Sequence, residues 1–168
     1  MKINTKSTLT AAMLTALAVS LSTFAIPIGA SKCFPIQHLC NVIAGVFLGP
    51  GYGVAMAFCT SLIRNLIGTG SPLAFPGSMV GAFLCGFLYQ HTGKLAAAYF
   101  GEVFGTGIIG GLLCYPVATL LMGQEAALFA YVIPFLISTA GGTVMAMILV
   151  GALYQSGAMS YLKGVLGG

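Results

Sequence analysis

The side chains that could do chemistry are few in this chain, and the two most informative are charged residues inside long apolar stretches. Arg64 offers five fixed N–H donors that suit a carboxylate, a phosphate or a ring acceptor. Glu102 is the one acid inside a predicted helix, because the only other acid, Glu125, falls in a predicted turn. A buried carboxylate must be paired, hydrogen-bonded or protonated, so Glu102 has either a structural or a ligand-binding role, and we include both side chains among the predicted binding residues.

A second polar group opens an apolar stretch further towards the N-terminus. Gln37, His38 and Asn41 lie within five residues, and His38 and Asn41 share a helix face at a spacing of three. An imidazole and two amides can hydrogen-bond to both donors and acceptors on a ligand. Asn65 lies next to Arg64 and is added to the predicted binding residues.

The partner of Arg64 is left open by the sequence. Arg64 and Glu102 differ in estimated depth by about 8 Å at a rise of 1.5 Å per residue, so direct pairing is feasible but strained. Arg64 could instead reach outer lipid headgroups. Several aromatic residues near the same depth could stack on a flat ring or belong to an interfacial belt. These are Phe34, Phe75, Tyr115 and Tyr131, of which Phe75 and Tyr115 are predicted as binding residues.

Catalytic, metal and cofactor sites are not predicted. The chain lacks paired carboxylates, a Ser/His/Asp set and a Walker A loop, so an enzyme is not expected. No spacing supports a metal site. The five cysteines include no C-x-x-C pair and are interpreted mainly as small buried apolar residues.

Composition indicates the environment of these residues. Charged residues make up 5% of the chain and hydrophobic residues 58%, whereas soluble domains carry about 25% charged residues. The apolar runs are long and do not alternate, which favours membrane-spanning helices over a barrel. With about 20 residues needed per span, the 168 residues allow six spans. We predict an all-α membrane protein with one domain, residues 1–168.

Six helices are predicted from the apolar runs and the turn signals. Their ranges are 7–28, 35–48, 52–67, 78–90, 95–122 and 127–154, with a weakly amphipathic tail after 154. The N-terminus resembles a signal peptide, but the cleavage pattern near Ala30 is poor, so an uncleaved first helix is expected. Pro116 is expected to kink the fifth helix.

Positive charges predict the orientation. Lys2, Lys6, Lys94 and Lys163 fall on the side of both termini when six spans are assumed, and only Lys32 falls in an opposite loop. By the positive-inside rule both termini are cytoplasmic. The loops 29–34, 68–77 and 123–126 then face outward.

Several stretches resemble the ThiW family, which comprises substrate-binding (S) components of energy-coupling-factor (ECF) vitamin transporters. The stretches are Phe34–His38 with Asn41, Leu48–Pro50, Arg64 with Gly68–Ser71, Ala74–Met79, and Gly101–Glu102 with Gly105–Gly107. The resemblance covers roughly residues 8 to 156. It implies a bundle of six helices in a prokaryotic plasma membrane, with both termini cytoplasmic and a small vitamin precursor captured near the outer face.

The resemblance also implies partners and a substrate. S components dock on a transmembrane T component driven by two cytoplasmic ATPases, and an Ala-x-x-x-Ala motif serves docking in the wider group; Ala12 and Ala16 match it. The chain itself would hydrolyse nothing and need no cofactor. The family is associated with the thiazole half of thiamine, hydroxyethylthiazole. The pyrimidine half, thiamine itself, or a structural membrane protein without a ligand remain alternatives.

Overall fold

A computed structural model of the protein describes residues 4–28 and 31–166. Most of this part of the chain is helical, as the apolar runs predict. The helices are α1 (Thr5–Ser20), α2 (Pro35–Phe47), α3 (Pro50–Leu66), α4 (Ala74–Thr92), α5 (Leu95–Leu121), α6 (Val132–Gln155) and α7 (Ala158–Leu166). Two short strands, β1 (Ile26–Ile28) and β2 (Ser31–Cys33), form an antiparallel hairpin between α1 and α2.

The hairpin corrects the predicted first helix. Helix α1 ends at Ser20 and is followed by one 3₁₀ turn, so its predicted continuation to Ile28 is wrong. Pro27 pairs with Lys32 in the hairpin register, and a proline lacks the N–H that a helix interior needs. A short apolar run does not distinguish a strand from a helix by its periodicity.

Two helix starts differ from the predicted ones by four or five residues, whereas α1 and α3 each begin two residues before their predicted starts. Helix α4 begins at Ala74 rather than at residue 78, because Pro76 falls in its first turn, where a proline is tolerated. Helix α6 begins at Val132 rather than at residue 127. The predicted amphipathic tail forms the short helix α7.

Helix α5 runs through Pro116 without ending there. Two of its segments, Val103–Gly110 and Val117–Leu121, have the wider π-helical turn. Proline removes one backbone hydrogen bond, and the second wide segment begins directly after it. The first wide segment begins directly after Glu102, and such turns recur at functional sites.

Several polar and charged side chains are buried in this protein, and many large apolar side chains are exposed, which is the reverse of a soluble domain. Arg64, Glu102 and Asn41 are buried, while the large apolar side chains Leu120 and Ile148 are more than two-thirds exposed. A soluble protein rarely exposes a large continuous apolar surface. Helices α5 and α6 are long and apolar enough to cross a bilayer by length and composition, and no other helix in residues 4–28 and 31–166 meets the same criteria.

The two ends of the helix bundle are distinct. At one end the described chain ends meet, because Asn4 Nδ2 and Ser7 Oγ both donate to the carbonyl of Leu166, at 3.2 and 3.1 Å. At the other end of α1, Ser22 Oγ lies 3.1 Å from Thr69 Oγ1 in the α3–α4 loop. The α1–α2 and α3–α4 connections therefore meet away from the chain ends.

Candidate ligand-binding site

A cavity of about 460 Å³ opens where the hairpin, the α3–α4 loop and the α5–α6 connection come together. Ligand pockets usually occupy about 300–1,000 Å³, so a small ring compound fits. The cavity is lined by Pro27, Lys32, Phe34, Gln37, His38, Arg64, Thr69, Gly70, Ser71, Leu73, Ala74, Ser78, Met122, Gln124, Phe135 and Ser138. Its walls thus combine two phenyl rings with several amide, hydroxyl and cationic groups.

Arg64 is the charged centre of this cavity. It lies in the last turn of α3 and is 1% exposed. Its Nη1 donates to Gln37 Oε1, and its guanidinium carbon lies 3.5 Å from the centre of the Phe34 ring. Its Nε and Nη2 have no hydrogen-bond partner among the described residues. A buried donor without a partner is costly, so Arg64 retains capacity for an acceptor.

A hydrogen-bonded chain leads from Arg64 into the bundle. Gln37 Nε2 donates to Ser61 Oγ at 3.3 Å, and Ser61 Oγ lies 3.1 Å from Ser78 Oγ. Ser78 in turn donates to the carbonyl of Ala74 at 2.7 Å. These contacts tie α2, α3 and α4 together at the floor of the cavity and fix the Gln37 amide beside Arg64.

A second network surrounds Glu102, which is fully buried. Its Oε1 lies 2.9 Å from His38 Nδ1 and accepts from Asn41 Nδ2 at 3.0 Å and from Thr106 Oγ1 at 3.1 Å. Asn41 Nδ2 also donates to the carbonyl of Ser78 at 3.2 Å. The acid thus connects α2 with α5 beneath the cavity, and His38 alone of its three partners borders the cavity.

Close helix packing brings the two networks together. A Cβ at Gly142 would lie 2.6 Å from His38 Cβ and would also collide with the carbonyl of Pro35. A Cβ at Gly81 would lie 2.9 Å from Glu102 Oε2 and would overlap Thr106 Oγ1. Small residues let helices approach closely in membranes, and here the absence of a side chain makes room for the polar groups.

The predicted binding residues divide into three groups. Gln37, His38 and Arg64 line the cavity. Asn41 and Glu102 lie beneath the cavity and do not line it. Asn41 Nδ2 donates to Glu102 Oε1. No ion pair joins Arg64 to Glu102 among the described side chains, because Glu102 pairs with His38 instead.

The other three predicted binding residues lie outside the cavity lining. Asn65 Nδ2 donates to the carbonyls of Ser61 and Ser71, at 2.7 and 3.0 Å, and so closes the α3–α4 loop. The Phe75 ring packs against Phe58, with ring centres 5.6 Å apart. Tyr115 is half-buried on α5 and does not border the cavity. Sequence spacing gives the depth of an aromatic ring but not its direction.

Some lining residues were not among the predicted binding residues. Lys32 and Phe34 come from the hairpin region, whereas Phe135 and Ser138 come from α6. Ser138 Oγ accepts from the backbone N–H of Phe34 at 2.8 Å, which attaches the hairpin to α6. The position of Phe34 immediately before Pro35, in a predicted outer loop, is the sequence signal for this ring.

The electrostatic character of the lining is positive. Lys32 and Arg64 border the cavity, and no carboxylate does so among the described residues. No group of three or more His, Cys, Asp or Glu side chains that could hold a metal occurs in residues 4–28 and 31–166. The arrangement suits an organic ligand with hydrogen-bond acceptors and a flat ring.

Comparison with family models identifies the family, and comparison with solved structures identifies the fold. The family model described as thiamine-precursor transporter protein (ThiW) matches residues 8–156. A solved structure of the S component of a bacterial ECF transporter superposes with a TM-score of 0.75 and 19% sequence identity, covering 89% of this chain and 96% of that chain. At that identity the likeness shows a shared fold. Comparison with curated proteins gives no match.

Proposed function

Because the chain belongs to the ThiW family of thiamine-precursor transporter proteins, we propose that it is the substrate-capture subunit of an ECF-type importer for the thiazole half of thiamine. The observation that carries the proposal is the cavity of about 460 Å³ with Arg64 and His38 on its wall. A vitamin-precursor S component needs such a cavity, and here the buried Arg64 guanidinium keeps two N–H groups without a partner among the described residues.

The thiazole alcohol matches the cavity in size and in chemistry. Its flat ring would pack against Phe34 or Phe135, which supply apolar faces. Its ring nitrogen is an acceptor for an N–H donor such as His38 or Arg64, and its hydroxyl can bond to the Ser138 hydroxyl or the Gln37 amide. The pyrimidine half and thiamine also carry ring acceptors, so binding measurements must separate these ligands.

We propose six membrane crossings, formed by α1 to α6, with both termini in the cytoplasm. The meeting of Asn4 and Ser7 with Leu166 supports an even number of crossings. Lys94 follows α4, and Lys163 on α7 contacts Tyr89 near the end of α4, so these lysines lie near the same end, in line with the positive-inside rule. The cavity then opens to the outside of a prokaryotic plasma membrane. Helix α2 has 13 residues and spans only about 20 Å at 1.5 Å per residue.

The proposed subunit binds substrate and leaves ATP hydrolysis to partners. A transmembrane T component and two cytoplasmic ATPases would complete the importer. Ala12 and Ala16 are both exposed on α1 and lie one turn apart, so they form a flat strip on which another helix can pack closely. We assign this strip to docking on the T component.

The proposal is tested by binding to the purified chain in detergent. Thiazole alcohol, pyrimidine alcohol and thiamine are titrated separately by calorimetry, and co-purifying small molecules are identified by mass spectrometry. Preferential binding of the thiazole alcohol supports the proposal. Preferential binding of either other ligand retains the capture function and changes the substrate. A stable protein that binds none of them contradicts a capture function and favours a structural membrane protein.

A further inference from the structure

Among the described residues that line the cavity, His38 alone hydrogen-bonds to the buried acid Glu102. Its Nδ1 lies 2.9 Å from Glu102 Oε1, and its ring borders the cavity with 7% of the residue exposed. Its Nε2 makes no hydrogen bond to the described residues and is not fully enclosed by the protein. That nitrogen is therefore accessible from the cavity.

Glu102 determines what Nε2 can offer. Oε1 already accepts from Asn41 and Thr106, as an ionised carboxylate does, so we assign the hydrogen of the His38–Glu102 contact to Nδ1. An ionised carboxylate in apolar surroundings is costly unless a cation pairs with it, and His38 is the basic side chain that contacts Glu102 among the described residues. When His38 is protonated, both ring nitrogens are donors, and Nε2–H points its hydrogen towards the cavity.

We propose that Glu102 is a positioning residue that keeps His38 as a charged donor, and that His38 Nε2–H recognises a ring nitrogen of the captured ligand. This inference rests on the proposed function and assigns roles within the same site. Glu102 does not touch the ligand; it acts through His38. Asn41 and Thr106 hold the carboxylate in place, which explains why two further polar side chains are buried beneath the cavity.

Packing against α6 also restricts the orientation of the His38 imidazole. Gly142 packs directly against His38, since a Cβ there would lie 2.6 Å from His38 Cβ. The Cβ of His38 is thus packed against α6, and the contact of Nδ1 with Glu102 sets the direction of the imidazole. A fixed donor discriminates strongly against a ligand without an acceptor, because the buried donor is then left without a partner.

The test compares the thiazole alcohol with its thiophene analogue, which has a C–H in place of the ring nitrogen. In the wild-type protein the thiazole alcohol is expected to bind about 10- to 100-fold more tightly, the effect of one hydrogen bond to a charged group. In His38→Leu this preference should fall to near unity. In Glu102→Gln it should also fall, although His38 is unchanged, because the neutral amide no longer favours a charged imidazole.

A control and a second measurement keep the inference falsifiable. Thr143→Val replaces another buried polar group, whose hydroxyl has no partner among the described residues, and should leave the preference unchanged. Should Glu102→Gln fail to fold, nitrogen NMR of ¹⁵N-histidine in a His91→Gln background reports His38 alone, because the chain has two histidines. Two protonated ring nitrogens in the ligand complex are expected, and an unprotonated Nε2 overturns the inference.

The outcomes separate this inference from the proposed function. Equal binding of the thiazole and thiophene compounds to the wild-type protein overturns the role of His38 and leaves the capture function standing. An equal weakening of both compounds by Glu102→Gln overturns the positioning role and assigns Glu102 to structure alone. Binding of neither compound to a folded wild-type protein overturns the proposed function, and this inference with it.

Discussion

The guanidinium carbon of Arg64 lies 3.5 Å from the centre of the Phe34 ring, so the last turn of α3 is joined to the residue that precedes α2. This contact covers one face of the charge, while Gln37 accepts from one of its edges. The pair lies where the hairpin leads into the bundle. Ligand binding should therefore depend on the ring as well as on the charge.

Replacing Phe34 with leucine should weaken thiazole alcohol binding by about 2- to 30-fold, because a cation–π contact contributes about 0.5–2 kcal/mol. Calorimetric titration in detergent measures the change. Phe58→Leu is the matched control, since the Phe58 ring packs against Phe75 outside the cavity and should leave affinity unchanged. Equal affinities for wild type and Phe34→Leu would contradict a role for this ring.

Gly81 should not tolerate a methyl group. A Cβ there would lie 2.9 Å from Glu102 Oε2 and would overlap the Thr106 hydroxyl. Overpacking of this kind costs about 1–3 kcal/mol, so Gly81→Ala should lower the thermal unfolding midpoint in detergent and weaken ligand binding.

Gly151→Ala provides the control for this substitution. Nothing lies within 4 Å of a Cβ at that position on α6, and alanine favours a helix interior by roughly 0.5–1 kcal/mol over glycine. The control should therefore unfold at the same temperature or higher. A Gly81→Ala protein as stable as Gly151→Ala would show that the Glu102 network adapts without strain.

The sequence supports the choice of the three lining residues Gln37, His38 and Arg64, because polar groups inside apolar helices are costly and need a purpose. It could not separate them from Asn41 and Glu102. Helical spacing indicates which residues share a face, but it does not indicate which of them a neighbouring helix covers. The same limit explains Tyr115, whose depth was estimated from spacing and whose direction depends on packing.

The fold follows the apolar runs more closely at helix ends with turn signals than at ends without them. Helix α3 begins at Pro50 after a glycine with positive φ, and α4 ends before Gly93 in the left-handed conformation, both readable signals. The end of α1 at Ser20 carries no comparable signal, because the run from Leu21 to Ile28 stays largely apolar and its helix breaker, Pro27, falls seven residues later. Its β-hairpin depends on pairing with residues beyond the run.

The proposed orientation predicts which side of the membrane each loop faces. In a Cys59→Ser background the four remaining cysteines are buried. In this background Glu125→Cys adds one exposed cysteine to the α5–α6 connection, which should react with a membrane-impermeant maleimide on intact cells. Lys94→Cys adds one exposed cysteine after α4, which should react only after permeabilisation. The reverse pattern would place the termini outside, and labelling of both residues on intact cells would contradict the six crossings.

If the exposed strip of Ala12 and Ala16 on α1 docks on the T component, a substitution there should impair transport and leave ligand binding intact. Ala16→Leu adds a bulky side chain to a face of α1 on which another helix can pack closely only when the residues are small. Uptake in cells that contain the T component and the ATPases should fall at least tenfold. The Kd of the purified chain for the thiazole alcohol, measured by calorimetry, should change less than twofold, which is on the order of 0.4 kcal/mol in binding free energy. Ala152→Leu, at an exposed alanine of α6, is the matched control and should leave both measurements unchanged. Normal uptake by Ala16→Leu would exclude this strip as the docking surface, whereas loss of binding as well as uptake would show that the substitution disturbs the bundle itself.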